Sequence, residues 1–66
     1  MNNYFLFKKE VLSRLKEKSV ETTVQYNEQH TEDLLVYTKK GKKEVCLDTA
    51  YKKNIQPEMV VSQILD

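Results

Sequence analysis

Three features of this chain could do chemistry: a lone histidine, a lone cysteine and a run of lysines. His30 stands in a polar stretch beside Glu28, Glu32 and Asp33. An imidazole there could exchange a proton near neutral pH or join the carboxylates around a metal. A metal cage needs several ligands at fixed spacing, however, and the sequence holds no second histidine, so the expectation is an exposed structural histidine. Cys46 sits between Val45 and Leu47. A nucleophilic thiolate needs a base and an electropositive setting beside it. Alternation with two apolar neighbours predicts instead a half-buried small hydrophobe on the second face of a strand. With one cysteine, no intramolecular disulfide can form.

The lysines carry the most pointed pattern. Lys39, Lys40, Lys42 and Lys43 flank Gly41, and Lys52 and Lys53 follow closely. A basic hairpin tip can neutralise phosphates and bind them in a salt-sensitive way. The same residues are also what a sheet edge carries to keep other strands from pairing with it. A nucleic-acid face would add Lys9 and Arg14 from the N-terminal segment to Lys40, Lys42, Lys52 and Lys53. A glycine-rich phosphate loop is ruled out, because Gly41 is the only glycine. The sequence has neither paired histidines nor a CxxC, and spacing forces no two carboxylates together. The expectation is a chain with no enzymatic activity of its own, no cofactor and no metal.

Charge is distributed unevenly along the chain. The net charge is +1, yet residues 1–19 carry +3, residues 20–38 carry −4, residues 39–53 carry +4 and residues 54–66 carry −2. Near-zero net charge weighs against a dedicated polyanion binder. Opposed acidic and basic regions suit a charged protein partner or a homo-oligomer. Tyr26 and Tyr37, placed on neighbouring strands, are candidate contact residues together with Lys39, Lys40, Lys42 and Lys43, since tyrosine is favoured at interfaces.

These residues must be positioned by one small domain. Sixty-six residues bury only about 60% of the surface that the unfolded chain exposes, so the core is marginal without association. Apolar residues at 39% and charged residues at 32% still permit a globule when the net charge is this low. The chain lacks an apolar run of the ~18 residues that a membrane helix needs. The N-terminal stretch, without a basic residue before its short apolar run, does not read as a signal peptide. A single unpaired cysteine suits the cytoplasm.

Apolar spacing predicts a helix over about residues 3–18, capped by Asn2 or Asn3, with Tyr4, Phe7, Leu15 and Phe5, Val11, Leu12 recurring at helical intervals. Val20 to Tyr26 alternates with period two and reads as a strand, with Val20, Thr22, Val24 and Tyr26 on one face. A polar loop follows at 27–31, then strands over 33–38 and 43–48 joined by a turn at 39–42, where Gly41 can take positive φ. Thr49 to Lys53 reads as a helical turn. Pro57 opens a last helix with Val60, Val61, Ile64 and Leu65 as its stripe. The fold class is α+β: helix, three-stranded antiparallel meander, helix, with the helices on one face of the sheet.

Two families share parts of this pattern. Leu47, Tyr51, Ile64 and Leu65, in a segment that leads from a strand through a Leu-x-x-x-Tyr turn to a short helix, resemble the YtpQ-like family of bacterial proteins over the last third of the chain. That resemblance implies Leu47 at the close of the sheet and Tyr51 over the start of the last helix, and no chemistry. The order helix, three strands, helix, with His30 in the first inter-strand loop, is similar to the double-stranded-RNA-binding domain. That family reads RNA shape through a basic last helix and its loop histidine. Here Glu28-Gln29 stands where that family has Gly-Pro, and Pro57-Glu58-Met59 where it has a lysine run. The resemblance therefore implies architecture without the function. The expected role is a small protein-interaction or regulatory module, with nucleic-acid binding through the basic hairpin as the alternative.

Overall fold

A computed structural model of the chain describes residues 3–65. The elements run α1 (Asn3–Glu17), β1 (Glu21–Tyr26), β2 (Glu32–Thr38), β3 (Gly41–Cys46), α2 (Leu47–Lys52) and α3 (Pro57–Leu65). The strands form one antiparallel sheet in the order β1-β2-β3. This is the expected α+β meander between helices, with the helical turn near residue 50 realised as α2. Of the two candidate caps of α1, Asn2 lies outside the described residues and Asn3 is the first helical residue.

The two αα and αβ junctions are set by the same device. Ser19 takes φ 57 just after α1, and Asn54 takes φ 58 just after α2. Ser19 N–H donates to the Lys16 carbonyl and Val20 N–H to the Leu15 carbonyl. Asn54 N–H donates to Tyr51 and Ile55 N–H to Ala50 in the same pattern. Both ends therefore close as left-handed caps that satisfy orphan carbonyls, and an apolar residue after each cap turns back onto the core. Pro57 occupies the first position of α3, where its missing N–H costs nothing, while the Gln56 carbonyl accepts from Met59 and Val60.

Register fixes which side chains face the helices. Thr22 pairs with Val36 and Val24 with Leu34, and Leu34 pairs in turn with Val45. These residues line the covered face. Val11, Leu15, Leu34, Val36 and Leu47 are fully buried, joined by Phe7, Ala50, Val60, Val61 and Ile64. Tyr51 packs its ring edge-on against Tyr4 at 5.4 Å and tilted against Phe7 at 5.5 Å. On the opposite face Leu35 is only 6% exposed although no helix covers it. It lies in the central strand between Thr23 and Glu44.

Three expectations are corrected. The third strand ends at Cys46, and Leu47 begins α2 instead of closing the sheet; the buried Leu47 and Ala50 of α2 draw the chain off the sheet and into the core. The turn between β2 and β3 has Lys39-Lys40 at its tip, with Gly41 at φ 124 already opening β3 opposite Thr38. Phe5 does not share the buried stripe of α1, which is formed by Phe7, Val11 and Leu15.

Candidate interaction surface

The sheet and α1 divide the candidate residues among separate places. On α1 the buried stripe Phe7, Val11 and Leu15 faces the core. Arg14 and Glu17 lie along the seam with α3, in a recess shared with Glu58, Val61 and Leu65. At about 100° per residue, Phe5 stands on the far side of the helix from Arg14. Phe5 and Leu12 there line a shallow groove of about 320 Å³ with Lys8, Lys9, Ser13 and Lys16, all from α1 itself. Phe5 is 55% exposed and the adjoining Leu6 is 48% exposed. The groove floor is apolar and its rim is basic. Lys8 on that rim is ion-paired with Glu32 of β2.

Tyr26 and Tyr37 do not meet. Tyr26 pairs with Glu32 at one end of the sheet, on the helix-covered face, and Tyr37 pairs with Glu21 at the other end, on the open face. Both are exposed, Tyr26 to 70%. Period-two alternation puts residues of odd and even register on opposite faces, and the pairing of Glu21 with Tyr37 fixes that these two tyrosines differ. Tyr37 is brought beside Lys42 on the open face, and Lys39 and Lys40 project from the adjacent turn. Lys43 falls on the covered face opposite Val36 and is half-buried, in a recess with Val45, Val60 and Ile64.

The six residues of a nucleic-acid face are not gathered. Lys9 and Arg14 lie on different sides of α1. Arg14 is bonded to Glu10 at 2.9 Å, Lys42 lies 3.9 Å from Glu44, and Lys52 lies 3.1 Å from Asp48. Lys40 stands at one end of β3, whereas α2, which carries Lys52 and leads to Lys53, starts from the other.

His30 is exposed and takes φ 61 in the β1–β2 loop. Asn27 builds that loop: its Oδ1 accepts from the N–H of Gln29 and Thr31, and its Nδ2 donates to Thr31 Oγ1 and Asp33 Oδ1. A small recess beside the loop is lined by Tyr4, Tyr26, His30, Thr31, Glu32 and Asp48. The Tyr4 hydroxyl is buried there with no hydrogen-bond partner. Burial first, then the nearby Glu32 carboxylate, holds its pKa well above the ordinary phenol value. Cys46 is half-buried as the residue that precedes α2, and its Sγ accepts a hydrogen bond from Thr49 Oγ1 at 3.2 Å. Among the described residues no group of three or more His, Cys, Asp or Glu side chains is placed to hold a metal ion. No helix among them is long and apolar enough to cross a membrane.

Comparison of the chain with protein-family models, with curated proteins and with solved structures gives no match. The functional reading therefore rests on the chain's own geometry. That geometry puts an exposed groove with an aromatic and an aliphatic side chain in its floor on α1, where the sequence pattern points to core. Phe5 and Leu12 are seven residues apart, a spacing that marks one helix face without saying whether the face is covered. The signal available in the sequence was the lysines at 9 and 16, which border the Phe5–Leu12 face more closely than they border Phe7, Val11 and Leu15.

Proposed function

We propose that this domain is a non-enzymatic protein-interaction module, of the kind that serves as a small adaptor or regulator, and that it meets its partner through the outer flank of α1. The observation that carries this reading is the apolar Phe5–Leu12 groove rimmed by lysines. Isolated exposed apolar residues are ordinary on a protein surface, but a contiguous apolar patch with a polar rim marks a contact site. Leu6 and Tyr26 are also exposed, away from the groove. The cytoplasm suits a chain with one free, half-buried cysteine.

The competing reading is nucleic-acid binding through the exposed turn Lys39-Lys40 with Lys42, Lys52 and Lys53. Internal ion pairs of Lys42 and Lys52 weigh against it, because those carboxylates compete with phosphate. An amide NMR titration with duplex RNA, duplex DNA and single strands at low salt separates the two. The module reading predicts unmoved amides over residues 39–43 and 52–53. Shifts focused there that vanish as salt is raised would overturn it.

A further inference from the structure

We infer that the free edge of β1 pairs with the same edge of a second copy of this chain, antiparallel about a two-fold axis at Thr23, to make one six-stranded sheet. This rests on the interaction reading above and names its partner. The two edges of the sheet are built differently. β3 opens Gly41-Lys42-Lys43-Glu44, with charge at three successive positions. Charges of that kind, prolines and bulges are how sheet edges are kept from pairing. β1 reads Glu21-Thr22-Thr23-Val24-Gln25-Tyr26: no lysine, no proline, and one charge at its start. Its register with β2 is unbroken over all six residues. The hydrogen bonds of the turns, loops and caps among the described residues all lie outside β1, so its outer amides and carbonyls remain available to a strand.

The sequence of β1 is compatible with its own copy. For the helices of both copies to cover the same face of a joint sheet, directly opposed residues must share a face. An axis at Thr23 meets that condition and opposes Thr23 to Thr23, Thr22 to Val24 and Glu21 to Gln25 of the second copy. Along the paired strands no charge meets its like. A standard interface takes about 800 Å² from each partner, more than a strand ribbon provides. The outer flank of α1 adjoins: α1 packs over β1 and turns Phe5 and Leu12 away from α3, so the second copy approaches along that flank. Lys8 on its rim is already neutralised by Glu32.

Sedimentation equilibrium over micromolar to millimolar concentrations, with circular dichroism to confirm folding, tests this. The native chain is expected to dimerise with concentration. Thr23→Lys sets lysine against lysine at the axis and is expected to weaken the dimer about tenfold or more. Gln25→Lys faces Glu21 of the second copy twice by symmetry and is expected to tighten it about threefold; its neighbour within the chain is Asp33, so the fold is not penalised. Adding Glu21→Lys should reverse that gain. A chain that stays monomeric throughout overturns the self-pairing. So does a dimer indifferent to Thr23→Lys and Gln25→Lys yet dissolved by Phe5→Asp, an outcome that would keep the α1 flank as the contact surface. The wider interaction reading fails separately, if salt-sensitive shifts at the lysines accompany nucleic acid.

Discussion

Phe7 and Phe5 stand two residues apart on one helix and lead different lives. Phe7 is 9% exposed, packed against Tyr51 and the core; Phe5 is 55% exposed. The inner flank of α1 continues through Val11 and Leu15 to the sheet and to α3. The outer flank continues through Leu12 under a rim of lysines. Both flanks are apolar at helical spacing. What separates them is packing: the inner flank is buried against the other elements, whereas on the outer flank Leu12 is half-buried against the core and Phe5 stays 55% exposed. A helix with apolar residues on more than its core face is a helix that fits a second surface, and that contrast carries the functional reading.

Substitutions along α1 should break or sharpen the contrast in a graded order. Leu15→Ala opens a cavity at a fully buried site and is expected to cost about 2–5 kcal/mol by urea denaturation, enough to unfold a domain of this size. Tyr4→Phe, on the inner flank, removes a buried hydroxyl that has no partner; stability is expected to hold or rise by up to about 1 kcal/mol. The same variant changes the alkaline limb. Tyr4 in the folded chain keeps its proton at pH values where the unfolded tyrosine, with its pKa at about 10, gives it up. Stability that depends on this residue is therefore lost as pH rises above that unfolded value toward the higher folded one, and Tyr4→Phe should lose less there in a pH-resolved melt. Arg14→Ala removes an exposed i,i+4 pair with Glu10 and should cost only about 0.3–0.5 kcal/mol. Phe5→Ser should leave thermal stability within about 0.5 kcal/mol of the native chain while it removes the apolar floor of the groove.

The order of elements was legible in the sequence because each carried its own local signal. Period two marked β1, the β-branched and leucine run marked β2, Gly41 marked the turn, and Pro57 with the stripe Val60, Val61 and Ile64 marked α3. The face assignment of Thr22, Val24 and Tyr26 agrees with the register; Val20 lies before β1. What the sequence left open was tertiary. Leu47 continues a strand alternation and is pulled into α2 by burial. Tyr26 and Tyr37 lie on adjacent strands, but which of their neighbours they meet depends on a register that loop chemistry at Asn27 decides. Phe5 matched a helical repeat as well as Phe7 did, and the packing of Tyr51 from α2 against Phe7 distinguishes them. The lysines were visible as a cluster in sequence, whereas their carboxylate partners at Glu44 and Asp48 required the fold.

The outer flank of α1 is the surface proposed to touch another protein. A photo-cross-linking side chain at position 5, compared with the same group at position 40 on the basic turn, tests this most directly. Discrete protein adducts from position 5, absent from position 40 and lost when Leu12→Asp is added, are the predicted result. Adducts with nucleic acid from position 40, and none with protein from position 5, would contradict it.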